Sequence, residues 1–145
     1  MPKRSPEEAV TVKIITQFPD KLCQEAAVLY CEADWISGVE EGGFLQKALP
    51  GSCAVAGAFE GDKLIGIARA LSDGVSDAYI QDVTVDKSYR GRGIGGKLVK
   101  LLASELADRG IDWIGLVGVP GTEKFYSSLG FVPQGGHTLW LKKDE

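Results

Sequence analysis

The sequence predicts an α/β fold in which helices flank a mixed, mostly antiparallel sheet, and three observations support it. Two apolar, strand-like stretches, residues 52–60 and 63–71, surround the turn Glu60-Gly61-Asp62, which is typical of an antiparallel hairpin. A β-branched stretch over residues 79–85 leads into a helix whose apolar residues recur with the helical period. The apolar stretch 112–119 follows, and a right-handed crossover would place it parallel to the strand before the helix.

The N-terminal part adds one strand and two helices. Residues 10–18 alternate and are rich in Val, Ile and Thr, which predicts a first strand. Pro19-Asp20 then opens a helix, because proline is tolerated in a first helical turn. A short second helix over residues 44–49 is expected to end at Pro50-Gly51, and Gly110 is expected to end the central helix in a left-handed conformation.

The C-terminal part adds a short helix and two strands. Thr122 can cap a helix that ends at Gly130. Strands are expected over residues 131–133 and 138–142. The complete predicted order is β-α-α-β-β-β-α-β-α-β-β, in one domain that covers residues 1–145.

Composition restricts the class of protein. Apolar residues make up 44% and charged residues 25%, which is ordinary for a globular protein, and the net charge of −4 gives no support to a nucleic-acid or membrane-surface role. The three cysteines are odd in number and lack C-x-x-C spacing, so we expect no disulfide framework and no metal site. We expect reduced thiols in a cytoplasmic protein, without a signal peptide or a transmembrane span.

A glycine-rich segment between the central strand and its helix is the strongest functional signal. Glycines let backbone N–H groups approach an anion closely, and the helix N-terminus adds roughly half a positive charge. The segment predicts a site for a pyrophosphate or a similar group, and the alternative is an ordinary glycine-rich turn. Its residues are Arg90, Gly91, Arg92, Gly93, Ile94, Gly95 and Gly96.

Two nucleotide-binding patterns fit this segment less well. A P-loop needs Ser or Thr after its lysine, and Lys97 is followed by leucine. The dinucleotide pattern G-x-G-x-x-G does match Gly91, Gly93 and Gly96, but it requires the first glycine at the end of the strand. Here a charged linker separates Val85 from that glycine.

The third pattern is Arg90-x-x-Gly93-x-Gly95 after an apolar strand that contains Val83 and Val85. It resembles the acetyl-CoA loop of the GCN5-related N-acetyltransferase (GNAT) superfamily, and the predicted element order is similar to that of the superfamily. The resemblance covers nearly the whole chain, is strongest over residues 63–131 and is weakest over residues 1–51.

Two further runs narrow the resemblance. Residues 79–83, Tyr-Ile-Gln-Asp-Val, and residues 120–131, which include Phe-Tyr-Ser-Ser-Leu-Gly-Phe, resemble small plant and bacterial members of the superfamily. Some of those members acetylate arylalkylamines such as serotonin.

The resemblance implies acetyl-CoA as co-substrate, no metal, and a small-molecule or peptide amine as partner, and it leaves a homodimer open. It also implies that the central strand splays from its parallel neighbour, so that the pantetheine arm pairs with exposed backbone. One of these N–H groups can point at the thioester oxygen. The backbone implied for this role belongs to Val83, Thr84 and Val85.

Tyr126 is the candidate general acid. Phe125 and Leu129 are expected to share a buried helical face, and Tyr126 is rotated by about 100° from Phe125, so it can face the cleft. In the family that this chain resembles, the tyrosine of the Phe-Tyr-x-x-x-Gly-Phe pattern commonly protonates the coenzyme A sulfur. The alternative is a half-buried tyrosine whose hydroxyl satisfies a backbone group.

The general base is less well defined. Family members often place His or Glu where this chain has Tyr79 and Gln81. Asp82 is the only acid in the predicted strand over residues 79–85, but it has the opposite parity, so it can serve only if a β-bulge swaps its face. The alternative is a structural Asp bonded to a loop, and His137, among glycines, is expected on the surface.

Three functions remain in competition: an N-acetyltransferase, a non-catalytic acyl-CoA sensor on the same fold, and a dinucleotide-binding oxidoreductase. The first is preferred, with direct attack of the amine in a ternary complex. The acceptor pocket is expected to come from residues 32–43 and the last strands, with Tyr30, Glu32, Asp34 and Trp35 as candidate contacts for an aromatic amine or a cation.

Overall fold

The computed structural model describes residues 9–139 and 141. Within them, the strands are β1 (Val10–Ile14), β2 (Ala54–Glu60), β3 (Lys63–Ser72), β4 (Asp77–Val85) and β5 (Trp113–Leu116). The helices are α1 (Asp20–Glu32), α2 (Leu45–Gly51), α3 (Ile94–Asp108) and α4 (Glu123–Ser128), with short 3₁₀ helices at Val39–Phe44 and Lys87–Tyr89.

The strands form one mixed sheet in the order β1-β2-β3-β4-β5. The first four strands are antiparallel to their neighbours, and β4 and β5 are parallel. The predicted fold class, the hairpin of β2 and β3 and the parallel crossover through α3 are therefore confirmed. A doubly wound parallel sheet, which the dinucleotide alternative requires, is not what these strands form.

Each face of the sheet carries its own apolar cluster. Helix α3 covers one face because its apolar positions recur with the helical period, and Leu98, Leu102 and Leu106 are fully buried there. Helices α1 and α2 cover the other face, where Leu29 and Leu45 are among the buried residues. The result is a three-layer arrangement with the sheet between helices.

Strand β4 is irregular at Asp82. Ile67 on β3 pairs with Thr84 and Arg69 pairs with Gln81, so two residues of β4 lie opposite the single residue between them. This is a β-bulge, and it swaps the face on which later side chains lie. Even-numbered residues of β4 enter the α3 cluster before the bulge, whereas Val83 and Val85 pack against the same cluster after it.

The parallel pair opens partway along its length. Pairing between β4 and β5 begins at Asp77 with Trp113 and ends at Ile80 with Leu116. Residues 81–85 of β4 continue beyond that point without a partner on the β5 side among the described residues. The predicted splay is therefore present.

The C-terminal strands are the main error of the prediction. Residues 131–133 form no strand, because the Phe131 N–H donates to the Tyr126 carbonyl at 3.1 Å and so completes the end of α4. Pro133 has no N–H to offer a ladder. Of the strand predicted over 138–142, residues 138, 139 and 141 have no regular secondary structure, and residues 140 and 142 lie outside the described part.

Smaller differences concern element ends. β1 stops at Ile14, four residues before the predicted end at Phe18, and α2 continues through Pro50 to Gly51. Thr122 occupies the N-cap position of α4 but does not cap it with its side chain, since its hydroxyl donates to the Val119 carbonyl at 2.6 Å. Gly110 has the predicted left-handed conformation, with φ of 90°.

Candidate active site

The glycine-rich segment turns twice through the left-handed region before α3 begins. Gly91 has φ of 81° and Gly93, the N-cap residue of α3, has φ of 77°. A Cβ atom placed on either residue would meet no heavy atom within 4 Å. Glycine is therefore required here by the backbone conformation, and the space beside both residues is open.

The N–H groups of this turn have no partners within the described chain. Lys97 is the first residue of α3 whose N–H bonds inward, to the Gly93 carbonyl at 3.1 Å. No N–H of residues 91–96 donates to a described protein atom. Orphan donors at a helix N-terminus, with the positive end of the helix dipole behind them, form an anion-binding site.

Helix α4 packs directly against this turn. A Cβ atom on Gly95 would lie 3.4 Å from Phe125 Cζ, and one on Gly96 would lie 3.4 Å from Leu129 Cδ2. Phe125 and Leu129 do share a face, as predicted, although Phe125 keeps 37% of its surface exposed. Ile94 is buried, at 4% exposure, and anchors the first turn of α3 in the core.

The two arginines of the segment already have partners. Arg90 donates from Nε to the Val85 carbonyl at 3.0 Å, at the end of β4. The guanidinium carbon of Arg92 lies 5.1 Å from the centre of the Tyr89 ring, a cation–π contact. These contacts hold both positive charges next to the glycine turn.

The backbone proposed for the pantetheine arm lies beside this turn. Val83 and Val85 direct their side chains into the α3 cluster, and Thr84 is buried at 7% exposure. The side chains thus belong to the core, while the edge of β4 on the β5 side is open over residues 81–85.

Tyr126 lies on α4, close to the chain that follows β5. A Cβ atom on Gly118 would approach its ring to 3.4 Å, and the ring makes edge-on contacts with Phe125 and Phe131, with centroids 4.8 and 5.9 Å away. Its hydroxyl bonds to no residue that the structure describes. Burial raises the pKa of Tyr126, so the phenol stays protonated at neutral pH.

The bulge gives Asp82 a left-handed backbone, with φ of 58°, which costs on the order of 1 kcal/mol or more in a residue other than glycine. Its Oδ2 accepts two hydrogen bonds of 2.7 Å, from the Tyr30 hydroxyl and from Arg69 Nε. Arg69 also donates from Nη1 to the Ser52 hydroxyl at 3.3 Å. The bulge therefore turns Asp82 toward the sheet face covered by α1, as the base hypothesis requires, and its partners lie on a helix and a strand rather than on a loop.

Burial and the charge of Asp82 change the pKa values of Tyr30 and Arg69. Burial raises the pKa of Tyr30 above the usual range, and the negative charge of Asp82 adds to this effect. Burial is the largest single effect on the pKa of Arg69 and alone would lower it, but the hydrogen bond to Asp82, the charge of Asp82 and the interaction with Tyr30 together outweigh burial and raise that pKa. Both donors are therefore protonated at neutral pH and the carboxylate stays held between them.

Arg69 is the member of this cluster that the sequence analysis did not identify. A signal was available, since Arg69 interrupts the otherwise apolar run from Leu64 to Leu71 in a strand that is largely buried. A charged residue in such a strand needs a partner, and Asp82 supplies it at 2.7 Å.

The expected acceptor loop also approaches this cluster. Tyr30 contacts Trp35 and Phe44 edge-on, with ring centroids 5.1 and 6.2 Å apart, and these two rings are 43% and 46% exposed. Glu32 accepts a bond of 3.3 Å from the Lys87 N–H and so ties the end of α1 to the turn after β4. Asp34 adopts a left-handed turn with φ of 62°.

His137 does not belong to the candidate site, and the residues that the structure describes form no metal-binding group. His137 is exposed and lies after the last helix, without a described polar contact. Among residues 9–139 and 141, no group of three or more His, Cys, Asp and Glu side chains is arranged to hold a metal ion. No helix in those same ranges has both the length and the apolarity to cross a bilayer.

Comparison with known families gives a match over most of the chain. The sequence pattern of the acetyltransferase (GNAT) family matches residues 17–131. The chain belongs to the GNAT family. The turn before α3, the splayed pair and the tyrosine on α4 are therefore parts of a GNAT domain.

Curated relatives carry N-acetyltransferase names. An uncharacterised ycf52-like N-acetyltransferase of Prochlorococcus marinus is 36% identical over 60% of this chain and 51% of its own length. The chloroplastic GCN5-related N-acetyltransferase 2 of Arabidopsis thaliana is 46% identical over 48% of this chain and 27% of its own length. The chloroplastic serotonin N-acetyltransferase 2 of rice is 37% identical over 46% of this chain and 34% of its own length. The match thus spans about half or less of these relatives.

Solved GNAT structures share the fold. A GNAT-family acetyltransferase of Streptococcus pneumoniae is 26% identical, with a TM-score of 0.75 over 93% of this chain and 99% of that one. An aminoglycoside N-acetyltransferase, solved in complex with CoA, has a TM-score of 0.73 at 14% identity over 93% of this chain and 95% of its own.

Proposed function

We propose that this protein transfers the acetyl group of acetyl-CoA to the primary amine of a small molecule or a peptide, by direct attack in a ternary complex. One observation carries the proposal. The unpaired edge of β4, residues 81–85, runs directly into a turn whose N–H groups, residues 91–96, have no described acceptor. Membership of the GNAT family supports the same activity.

The residues present fit the phosphate end of coenzyme A. Gly91 and Gly93 leave open space where any side chain would intrude, and the orphan N–H groups supply donors for phosphate oxygens. Arg90 and Arg92 add positive charge to a protein whose net charge is −4. The structural neighbour solved with CoA adds support for this ligand.

The open edge of β4 is the proposed site of the pantetheine arm and the thioester. Backbone groups of Val83, Thr84 and Val85 can pair with the amides of an extended chain, as an added strand would. An N–H group directed at the carbonyl oxygen stabilises the negative charge that develops there during acyl transfer. The Val85 carbonyl already accepts a hydrogen bond of 3.0 Å from Arg90 Nε. This bond either stays in place or is broken when the pantetheine arm pairs with the strand.

Tyr126 is the proposed donor of the proton to the leaving sulfur. A phenol with an ordinary pKa of about 10 can protonate a thiolate whose conjugate acid has a pKa of about 8.5. Burial raises the pKa of Tyr126 further, so the acid form persists at neutral pH. Its hydroxyl has no described hydrogen-bond partner that would compete for the proton.

Asp82 is the proposed acceptor of the proton from the amine, directly or through a water molecule. Its Oδ2 is held by Tyr30 and Arg69, which leaves Oδ1 for a substrate or water. The side chain keeps 24% of its surface exposed. A carboxylate fixed at one oxygen and open at the other can orient an incoming ammonium group and then take its proton.

The exposed rings of Trp35 and Phe44 are the proposed wall for the acceptor. Both rings contact Tyr30, whose hydroxyl bonds to Asp82. An aromatic or cationic amine can pack on such rings while its nitrogen approaches the carboxylate. The rice relative named for serotonin supports arylalkylamines as the first class to test.

A panel of amines incubated with acetyl-CoA tests the proposal. Release of free thiol should require both the protein and an amine, and the panel should include arylalkylamines, polyamines, aminoglycosides and a peptide N-terminus. Product mass 42 Da above the amine, the value for replacement of one hydrogen by acetyl, would identify the transferred group. If acetyl-CoA binds but no amine of the panel causes thiol release at any pH from 7 to 9, the proposed acetyltransferase activity is excluded.

A non-catalytic acyl-CoA sensor is the second candidate, and the two hydrogen bonds that Asp82 Oδ2 accepts favour it. A carboxylate that already neutralises Arg69 at 2.7 Å is less available as a base than a free one. The sensor would bind acetyl-CoA and release no thiol with any amine, so the same panel separates the two functions.

A further inference from the structure

The Asp82 carboxylate is joined by hydrogen bonds to two other elements of the fold, α1 and β3. One donor, Tyr30, comes from α1 and is 2% exposed, and the other, Arg69, comes from β3 with a side chain that is 12% exposed. Both bond to the same oxygen, Oδ2, at 2.7 Å. The second oxygen of the carboxylate has no partner among the described residues.

The two donors are themselves fixed. Tyr30 is packed by Trp35 and Phe44, so its ring cannot swing without disturbing them. Arg69 reaches the Ser52 hydroxyl at 3.3 Å with a second nitrogen, which fixes the plane of the guanidinium. The carboxylate is therefore held in one rotamer, although its own backbone lies in the left-handed region at a bulge.

We infer that Tyr30 and Arg69 are positioning residues, which hold Asp82 Oδ2 so that Oδ1 points to the acceptor amine. This inference rests on the proposed function, because it assigns a task to Asp82 in the same reaction. It adds a task for Tyr30 and Arg69, which act through Asp82 and are not themselves proposed to accept or donate the transferred proton. Tyr30 also links the carboxylate to the exposed rings of Trp35 and Phe44.

Two single substitutions test the two holding bonds. Tyr30→Phe removes one hydroxyl and keeps the ring that packs on Trp35, and Arg69→Lys keeps the charge but loses the two-nitrogen geometry. Each should lower kcat by about tenfold or more, the scale of one lost hydrogen bond to a charged group. The affinity for acetyl-CoA should stay within about twofold, because β4 and the glycine turn keep their backbone.

Arg109→Lys is the matched control for the arginine. Arg109, the residue that follows α3, also bonds to two partners, the Cys53 carbonyl at 2.7 Å and Glu105 at 3.4 Å, and neither bond involves Asp82. It should leave kcat unchanged. Melting temperatures measured for all variants show whether each one folds, and Tyr30→Phe decides the question if Arg69→Lys does not fold.

A double-mutant cycle separates positioning from a general structural effect. If Tyr30 acts through Asp82, then Tyr30→Phe should change kcat by less than about twofold in an Asp82→Asn background. A further tenfold loss in that background, or full activity of the Tyr30→Phe single variant, would overturn the inference and leave the proposed function standing. Acetyl-CoA binding without turnover in the unmodified protein would overturn the proposed function, and the inference with it.

Discussion

The ring of Tyr126 lies next to Gly118, in the segment that follows β5. Its neutral hydroxyl has no hydrogen-bond partner among the described residues. A tyrosine that only filled space would more often bond its hydroxyl to a backbone group when half-buried. Removing the oxygen therefore separates packing from chemistry, since the ring contacts with Phe125 and Phe131 remain in phenylalanine.

We predict that Tyr126→Phe binds acetyl-CoA with unchanged affinity and loses kcat by roughly 10² or more, the usual scale for removal of a general acid. Steady-state kinetics with any accepted amine, together with calorimetric binding of acetyl-CoA, measure the two quantities. Ser127→Ala, which removes a neighbouring exposed hydroxyl from the same helix, should be neutral. If Tyr126→Phe and the parent protein have equal kcat, Tyr126 serves only in packing.

Asp82 allows a prediction that depends on pH. An amine with a pKa above 9 is mostly protonated at neutral pH, so a proton acceptor matters most there. Asp82→Asn should lower kcat/KM steeply at pH 7 and less at high pH, where the free amine already dominates. Kinetics from pH 6.5 to 9.5 measure this.

The same substitution has a structural cost that must be measured beside it. The Arg69 side chain is only 12% exposed, and Asp82→Asn removes its ionic partner. Because an unpaired buried charge is destabilising, the melting temperature should fall as well. A lower melting temperature with an unchanged shape of the pH profile would show that Asp82 is structural only.

The sequence could suggest Asp82 and Tyr126 as candidate site residues, but it could not predict the neighbours of Asp82. The need for a bulge followed from the parity of the strand, and the bulge lies between Gln81 and Thr84. Tyr30, which donates a hydrogen bond to Asp82, is 52 residues away along the chain, and no periodic pattern in the sequence connects the two residues. Such a bond depends on how α1 crosses the sheet, which the local pattern does not determine.

At the scale of elements, the turn into α3 carries the proposed anion site. Gly93 has φ of 77° and open space around a built Cβ, so a side chain there adds backbone strain of about 1–2 kcal/mol and projects into the site. We predict that Gly93→Glu folds and loses acetyl-CoA binding, because a carboxylate would occupy the site and repel phosphate.

Gly93→Gln is the matched control, since it has the same shape and strain without the charge. Calorimetry on both variants should give at least tenfold weaker binding for Glu than for Gln, a difference of about 1.4 kcal/mol. Circular dichroism verifies folding. Affinity of the Glu variant equal to that of the parent would place the phosphate site elsewhere.

The contact between α1 and the 3₁₀ helix Val39–Phe44 depends on one glycine. A Cβ atom on Gly42 would lie 2.5 Å from Ala27 Cβ, whereas one on Gly43 would meet nothing within 4 Å. We predict that Gly42→Ala destabilises the fold by about 1–3 kcal/mol, the usual cost of overpacking. Gly43→Ala should be neutral or slightly stabilising.

Urea unfolding of the two alanine variants measures this difference. Equal midpoints would mean that the 3₁₀ helix shifts away from α1 at no cost. This contact also supports the acceptor wall, because Phe44 ends the same 3₁₀ helix and contacts Tyr30. We therefore expect Gly42→Ala to raise KM for the amine.

Long, periodic elements were predictable, and the two short strands expected after α4 were not. Helix α3 follows a strong apolar period and was located from the sequence together with its glycine stop. Residues 131–133 had strand-like composition but lost their first N–H to the end of α4. Composition cannot reveal which acceptor a backbone donor will choose.

At the scale of the whole molecule, ligand binding and folding are linked. The proposed site takes backbone from β4 and the turn before α3, and α3 packs on β1, β2, β3 and β4. A ligand that binds only the folded chain stabilises it by RT ln(1 + [L]/Kd), about 2.7 kcal/mol at a hundredfold excess over Kd. Acetyl-CoA should therefore raise the melting temperature of the entire cooperative unit.

NAD and ATP are the matched ligands for this experiment, since both carry a pyrophosphate and adenine but lack a pantetheine arm. If the glycine turn alone supplied the affinity, all three ligands would stabilise the protein to a similar degree. We predict that acetyl-CoA and CoA raise the melting temperature and that NAD and ATP do not, because the open edge of β4 pairs only with an amide-containing arm. A melt unchanged by acetyl-CoA but raised by NAD would contradict both the ligand and the role of that edge. Equal shifts with ATP and acetyl-CoA would keep the phosphate site at the turn and remove the strand edge from recognition.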